Sequence, residues 1–566
     1  MYDRDNGSGS IQMKKIVVLG GGVIGWFTAA LIQKRHPEIK ITLIESPNVP
    51  ILGVGESTVP QLGELLQWLD VDENTWMKAV HGIHKLGNHF VGWNTEKPMT
   101  HVTDHWNALP EEYHFYSFSF SYNTNSLRNN FYKHRTVDDY FYDNDGKFGI
   151  DNKHHDYWLE LVRRGKYSAS QTDAYTMEQY HPAMKNRAAR YNDGYPVTGG
   201  YNSYAWHVDA ERFPKVIRDM VAIPLGVEHV TGHVSRIQKD YNGYVTNLTL
   251  EDGRIFEADL YCDCTGFNRV LMDSMDVKWQ GISQLPTQSA WAAPVKYKDP
   301  YQEMKPYTQS YANRSGWNFI ISLYSRMGSG YVFDANIEDP DEAREDFIRY
   351  WDGYEFIRDP RLIQWEQGYY DKAWDKNVVG IGMAQGFIDP MEANSIYVAQ
   401  SCIQMLDQAL TKYKGRDIAE SAKKAYTRQV QKLENQISDF ISYHFTLSKR
   451  RDTPFWRKWG KYGVDNGHIE KNWKEYRAPR GYLGRNIFLD FQWADQQLYL
   501  DRWDDKLCEL NIKPKEMCLA EIDFKYINDK GKALAFNAPH VYDWFKDHIH
   551  EGKTYSEVLE EALAER

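Results

Sequence analysis

The stretch Lys15-Ile16-Val17-Val18-Leu19-Gly20-Gly21-Gly22-Val23-Ile24-Gly25-Trp26, with Ile41-Thr42-Leu43-Ile44-Glu45 after it, decides the fold. Ile16 to Leu19 is a short β-branched run that predicts a buried strand. Trp26 to Lys34 carries a helical pattern, and Ile41 to Ile44 reads as a second strand closed by an acid. Gly20, Gly22 and Gly25 stand at G-x-G-x-x-G spacing between strand and helix. At that spacing Gly20 makes the tight turn and Gly22 lets the backbone approach a pyrophosphate, while Gly25 lets helix and strand pack closely. The pyrophosphate would rest on unpaired N–H groups at the helix N-terminus. Glu45, 20 residues after Gly25, would accept hydrogen bonds from a ribose. Together these features point to an adenine dinucleotide bound in an α/β fold.

The chain as a whole, 566 residues, has room for two or three modules. It carries 78 acidic and 67 basic residues, a net charge of -11, and no long basic tract, which argues against a nucleic-acid partner. Aromatic residues make up 14%, which suits an aromatic-lined pocket. Five cysteines do not make a disulfide framework. Cys262 and Cys264 are expected to face opposite sides of a strand, so they do not form a metal pair. His101 with His105, and His154 with His155, lack a recognisable metal spacing, and no metal is expected. No apolar run approaches the ~20 residues of a membrane span. Met1 to Ser10 does not resemble a signal peptide, and the chain reads as cytoplasmic, in a reducing compartment.

Further along stands Gly53-Val54-Gly55-Glu56-Ser57-Thr58-Val59-Pro60, where Ser57 or Thr58 is expected to cap a helix starting near Pro60. With Gly-Gly-Gly-Val-Ile-Gly-Trp at Gly20 to Trp26, this string resembles the flavin-dependent halogenases, the tryptophan halogenase group. His84-Lys85-Leu86-Gly87 stands in that family's Phe-Lys-Leu-Gly place. Trp206-His207-Val208-Asp209, before a helix expected from Ala210 to Met220, resembles its Tyr-His-Phe-Asp segment. Ala258 to Gly266 resembles a family strand that runs into a turn near the dinucleotide. Pro390-Met391-Glu392-Ala393-Asn394-Ser395-Ile396-Tyr397 resembles Pro-Leu-Glu-Ser-Thr-Gly-Ile-Tyr, and Ser448 to Arg457 resembles Ser-Pro-Arg-Thr-Asp-Thr-Pro-Phe-Trp-Arg. The family's W-x-W-x-I-P signature is kept at Trp317 and Ile321 but changed at Phe319 and Ser322. Trp317 and Phe319 are expected to share one strand face. Gly380, Gly382 and Gly386 lack a following acid-ended strand, so no separate nicotinamide site is expected. The resemblance covers most of Lys14 to Trp456, with gaps in the insertion near 98–190.

The resemblance implies an FAD-binding Rossmann-type, hydroxylase-like domain, discontinuous in sequence, with a mainly helical substrate-binding module. The chain then divides into a first FAD-binding segment (14–97), a substrate-covering insertion (98–190), a second FAD-binding segment (191–290), a substrate-side sheet (291–376), a third segment that binds FAD and halide (377–410) and a helical C-terminal module (411–566). FAD is expected at Gly20, Gly22, Gly25, Glu45, Gly55, Glu56 and Gly382. A halide ion (bromide, iodide or chloride) is expected at the backbone N–H groups of Asn394 and Ser395. Lys85 falls at the active-site lysine and Glu392 at its carboxylate partner. Trp317, Phe319, Phe445, Thr446, Phe455 and Trp456 fall at the substrate pocket. By the same resemblance FADH2 comes from a separate flavin reductase, and O2 and halide yield hypohalous acid. Lys85 passes the halogen to a small electron-rich aromatic and Glu392 takes the ring proton. Whether Lys85 hydrogen-bonds the hypohalous acid or carries a haloamine stays open, as does a homo-oligomer. Two other readings stay open on this fold, a flavin-dependent aromatic monooxygenase (hydroxylase) and a non-catalytic flavoprotein.

Overall fold

The computed structural model describes residues 13–49, 55–97, 99–117, 158, 160–198, 204–413, 418–466 and 514–565. The chain starts as read: strand β1 (Lys15–Leu19), helix α1 (Val23–Arg35) and strand β2 (Lys40–Glu45). β1 lies at the centre of a six-stranded sheet and pairs in parallel with β2 on one side. On its other side it pairs with β5 (Leu260–Asp263), which pairs with β6 (Val378–Gly380), again in parallel. Val18 stands opposite both Leu43 and Cys262. Successive β1 side chains alternate between two cores, Ile16 and Val18 in the larger and Val17 and Leu19 in the smaller. A central parallel strand covered on both faces reads as continuous apolar sequence, as this one does. The dinucleotide-type sheet therefore draws its strands from distant regions of the chain.

A second, seven-stranded sheet holds β4 (Gly87–Val91) between the strands Tyr113–Ser117 and Thr308–Asn313, and continues through Gly316–Ser322 and Met327–Phe333. A three-stranded ribbon joins the two regions. Its middle strand, Ala205–Val208, pairs with Glu56–Ser57 on one edge and with β3 (Ile83–Lys85) on the other. Helices α2 (Ser395–Tyr413), α3 (Glu420–Leu447) and α4 (Pro454–Asp465) follow β6. Three more helices, Pro514–Asn537, Val541–His548 and Tyr555–Ala564, close the chain. Among the described residues no helix is long and apolar enough to cross a membrane, and no group of three or more His, Cys, Asp or Glu side chains could hold a metal ion.

Three local expectations are corrected. Ser57 and Thr58 do not cap the helix Gln61–Trp68, whose N-cap is Pro60; the Thr58 hydroxyl instead donates to the Trp206 carbonyl at 2.8 Å. Cys262 and Cys264 face the same way: residues two apart on a strand share a face, and both thiols lie in the larger core beside Val18. Burial pushes both thiols up, so they are inert apolar filling. The helix expected from Ala210 begins at Phe213 and passes into a wider turn at Arg218–Ala222. Residues 118–157, with His154 and His155, and Gly53 lie outside the described residues.

Candidate functional site

The glycine turn distinguishes its three glycines sharply. Gly20 has φ +120°, and a Cβ there would lie 2.3 Å from the Cys264 carbonyl oxygen. A Cβ on Gly25 would lie 1.8 Å from the Gly20 carbonyl oxygen. Those two glycines are required by the protein's own packing. A Cβ on Gly22 would meet nothing within 4 Å. Gly22 is also the N-cap of α1, extended and with no side-chain capping bond, so the first helical N–H groups face that open space. The free space and free donors fit a dinucleotide pyrophosphate. Glu45 closes the turn, its carboxylate 1.9 Å from where a Gly21 Cβ would stand and 2.8 Å from His229 Nε2.

The other residues expected at the cofactor converge from separate segments. Gly55 packs beside Ile321 of the strand Gly316–Ser322. Glu56 pairs with Val208, and burial pushes its carboxyl up to about 7. Gly382, at φ +64°, sits after β6 against Ile24 in the first turn of α1. It shares a cleft with Asp389, Asn394, Ser395 and Glu434. Burial raises both acids of that cleft to about 7. Asn394 is buried, and its side-chain Nδ2 has no hydrogen-bond partner among the described residues. Just before it, Glu392 (φ 69°) and Ala393 (φ 56°) are consecutive left-handed residues. For side-chain-bearing residues this costs roughly 1–2 kcal/mol each.

Lys85 ends β3 and is fully buried. Its Nζ donates to the Thr58 carbonyl at 3.0 Å. Burial lowers its pKa from 10.5 to about 7, with the Glu392 charge partly opposing the shift. Glu392 is buried too. Its Oε2 accepts from Asn88 Nδ2 at 3.0 Å, and its Oε1 lies 3.2 Å from His444 Nε2. Asn88 and Phe90 share the face of β4 that meets this group, Phe90 packing 4.9 Å from the His444 ring. Trp93 extends the wall, with Phe445 at 5.2 Å and Trp456 at 5.4 Å, and Phe455 lies 5.8 Å from Phe445. Thr446 turns aside, its hydroxyl donating to the Ser442 carbonyl at 2.9 Å. Trp317 and Phe319 share a face with rings 6.1 Å apart.

The structure thus brings Lys85, Glu392 and the aromatic wall of Phe445, Phe455 and Trp456 together, while Gly382, Asn394 and Ser395 line one cleft and Gly382 lies against Ile24 in the first turn after Gly22. Asn88 and His444 were not singled out from the sequence, Thr58 was read there only as a helix cap, and His207 only as part of the Trp206–Asp209 string. His207 lies one residue from Trp206 in the ribbon, its Nε2 3.0 Å from the Thr308 hydroxyl, and burial and Lys85 hold it neutral. The signal for His444 was its place directly before Phe445 and Thr446; for Asn88 there was only its nearness in sequence to Lys85.

A family model described as tryptophan halogenase matches residues 15–472. Tryptophan 7-halogenase RebH of Lentzea aerocolonigenes is 29% identical over 469 residues, 81% of each chain. Tryptophan 6-halogenase ThaL of Streptomyces albogriseolus is 27% identical over 572 residues, 94% of this chain and 98% of its own. Among solved structures, a tryptophan halogenase from Shewanella frigidimarina superposes with TM-score 0.79 at 24% identity, covering 96% of this chain and 99% of that one. Xcc4156, a flavin-dependent halogenase from Xanthomonas campestris, gives 0.76 at 24% identity, with 95% and 98% covered. The structural likenesses establish a shared fold.

Proposed function

Since the chain belongs to the tryptophan halogenase family, a family of flavin-dependent enzymes that halogenate aromatic substrates, we propose that it halogenates a small electron-rich aromatic other than free tryptophan, with Lys85 and Glu392 as the transfer pair. The observation that carries this reading is a fully buried lysine whose pKa burial lowers, beside a buried carboxylate. When bound, FAD reduced by a separate reductase supplies, with O2, the oxidation of halide to hypohalous acid.

The turn at Gly22 would hold the pyrophosphate and Glu45 the ribose, with Gly20 and Gly25 shaping the turn and Gly55, Glu56 and Gly382 lining the flavin's path. The backbone N–H groups of Asn394 and Ser395 would hold the halide. With a pKa of about 7, Lys85 presents ammonium and amine in comparable amounts at neutral pH. The ammonium can donate to the oxygen of hypohalous acid; the amine can carry the halogen itself. Glu392 then accepts the proton that the ring loses, a general-base task. Enclosing the lysine keeps the small oxidant away from water.

Free tryptophan is disfavoured by the polar end of the site. By the resemblance, counting back from Asp452-Thr453-Pro454-Phe455-Trp456, Phe445 and Thr446 fall where tryptophan halogenases are expected to carry a Tyr-Tyr pair. Phe445 offers no hydroxyl, and the Thr446 hydroxyl is spent on its own helix. An amino-acid carboxylate and ammonium would be left poorly solvated there. The test is mass spectrometry of products from a panel of aromatics, with a flavin reductase and each halide, including tryptophan against a simple phenol, indole or aniline in competition with bromide. Halogenated ring product from the simple aromatic supports the reading. Oxygenated product without halide would favour a hydroxylase, and predominant bromotryptophan would overturn the substrate assignment.

A further inference from the structure

We propose that His444 is the proton acceptor behind Glu392, so that the general base of the site is a carboxylate–imidazole pair and not a lone carboxylate. This rests on the halogenation reading above and extends it to the proton's next destination.

The imidazole is held between two fixed partners. His444 Nδ1 lies 2.8 Å from the Phe440 carbonyl oxygen one helical turn earlier on α3. A carbonyl only accepts, so Nδ1 carries the proton. In the neutral ring Nε2 is then the basic nitrogen, and it lies 3.2 Å from Glu392 Oε1, within reach of a proton although the two are not aligned as a hydrogen bond. A backbone carbonyl fixing one nitrogen so that the other is presented to its target is how a histidine's tautomer is set. The ring is also fixed sideways, between Phe90 at 4.9 Å and Phe440 at 5.0 Å, with Trp93 at 6.0 Å. It is 1% exposed. The Glu392 carboxylate lies on its Nε2 side, and Lys85 in turn interacts with that carboxylate.

This arrangement gives the lost proton a path. When the halogenated ring gives up its proton, the C–H bond breaks and its electron pair restores aromaticity, while an O–H bond forms on Glu392. That proton then passes from the carboxyl to His444 Nε2, leaving a carboxylate beside an imidazolium, and no electrons change hands. Asn88 holds Oε2 at 3.0 Å, which leaves Oε1 on the side of the imidazole. His444 acts through Glu392 and is a positioning and relay residue.

Two measurements test this. The first needs no turnover: ¹⁵N NMR of histidine-labelled protein, with the His444 signal assigned by its loss in His444→Gln. The neutral ring is expected as the Nδ1–H tautomer. An Nε2–H tautomer would overturn the proposal whatever the enzyme's substrate proves to be. The second uses single-turnover halogenation of a ring-deuterated aromatic. His444→Gln is expected to slow the step about tenfold and to raise the substrate deuterium isotope effect from near 1 to above about 2, because ring deprotonation becomes limiting. In Glu392→Gln background, His444→Gln should add no further loss. A His444→Gln enzyme that is slower with an unchanged isotope effect, or losses that simply multiply, would assign His444 a purely structural role. Absence of halogenated product from the unaltered enzyme would instead remove the halogenase reading, leaving the tautomer result standing.

Discussion

Replacing Lys85 with methionine should make the protein more stable in acid while abolishing its chemistry. The folded chain releases the Lys85 proton near pH 7 and the unfolded chain near 10.5. Unfolding therefore takes up a proton between those values, and the lysine's contribution to stability rises with pH across that window. Below pH 7 the folded state bears the full cost of a buried ammonium, roughly 5 kcal/mol for this displacement. Methionine keeps the length and removes that cost, but leaves the Thr58 carbonyl without its donor, a loss of about 1–2 kcal/mol. The balance at pH 6 favours Lys85→Met by about 3 kcal/mol, or roughly 3 °C in Tm for a chain of this size. At pH 9 the lysine's cost falls to about 2 kcal/mol and the balance closes. Scanning calorimetry of both proteins at the two pH values measures this, with product formation assayed alongside. Flavin oxidation should continue while halogenated product falls at least about 100-fold. A variant less stable than its parent at pH 6, or a Tm difference identical at both pH values, would refute the burial argument; near-normal product would refute the role given to Lys85.

Gly22→Val should fold normally and fail to take up FAD, because its side chain enters space the protein itself leaves open; flavin absorbance after reconstitution reads this, and Gly25→Val, which would strike the Gly20 carbonyl, should fail to fold. Glu392→Gln keeps the Asn88 contact through its amide oxygen, so halogen transfer should slow by about 10- to 100-fold with flavin binding unchanged, as single-turnover kinetics and flavin titration would show. Ala393→Gly relieves a left-handed backbone and should raise Tm by about 1 °C while weakening halide binding, measured as a higher halide KM.

What could be read from sequence was what local spacing dictates. The strand, glycine turn, helix and acid of Lys15 to Glu45 each depend on neighbours within a few residues, and each is present. Thr58 was misread because its hydroxyl is taken by Trp206, a partner 148 residues away, before any cap can use it. Asn88 and His444 matter only because β4 and α3 meet at Glu392, which is 304 residues from Asn88. No spacing within either segment announces that meeting. The family likeness pointed to Lys85 and Glu392 as candidates, but the groups that contact Glu392 emerge only from the tertiary contacts.

The central sheet has a consequence for how the protein is made. β1 and β2 leave the ribosome together, but β5 ends at residue 263 and β6 at residue 380. At about 5–20 residues per second, the open edge of β1 waits roughly 10–50 s for its second partner. For that interval a nascent chain displays an unpaired apolar strand, the kind of surface on which chains stick to one another. Synthesis of this enzyme should therefore lean on chaperones that bind extended apolar segments, and slow translation should cost yield more than it would for a protein whose sheet is assembled from consecutive strands.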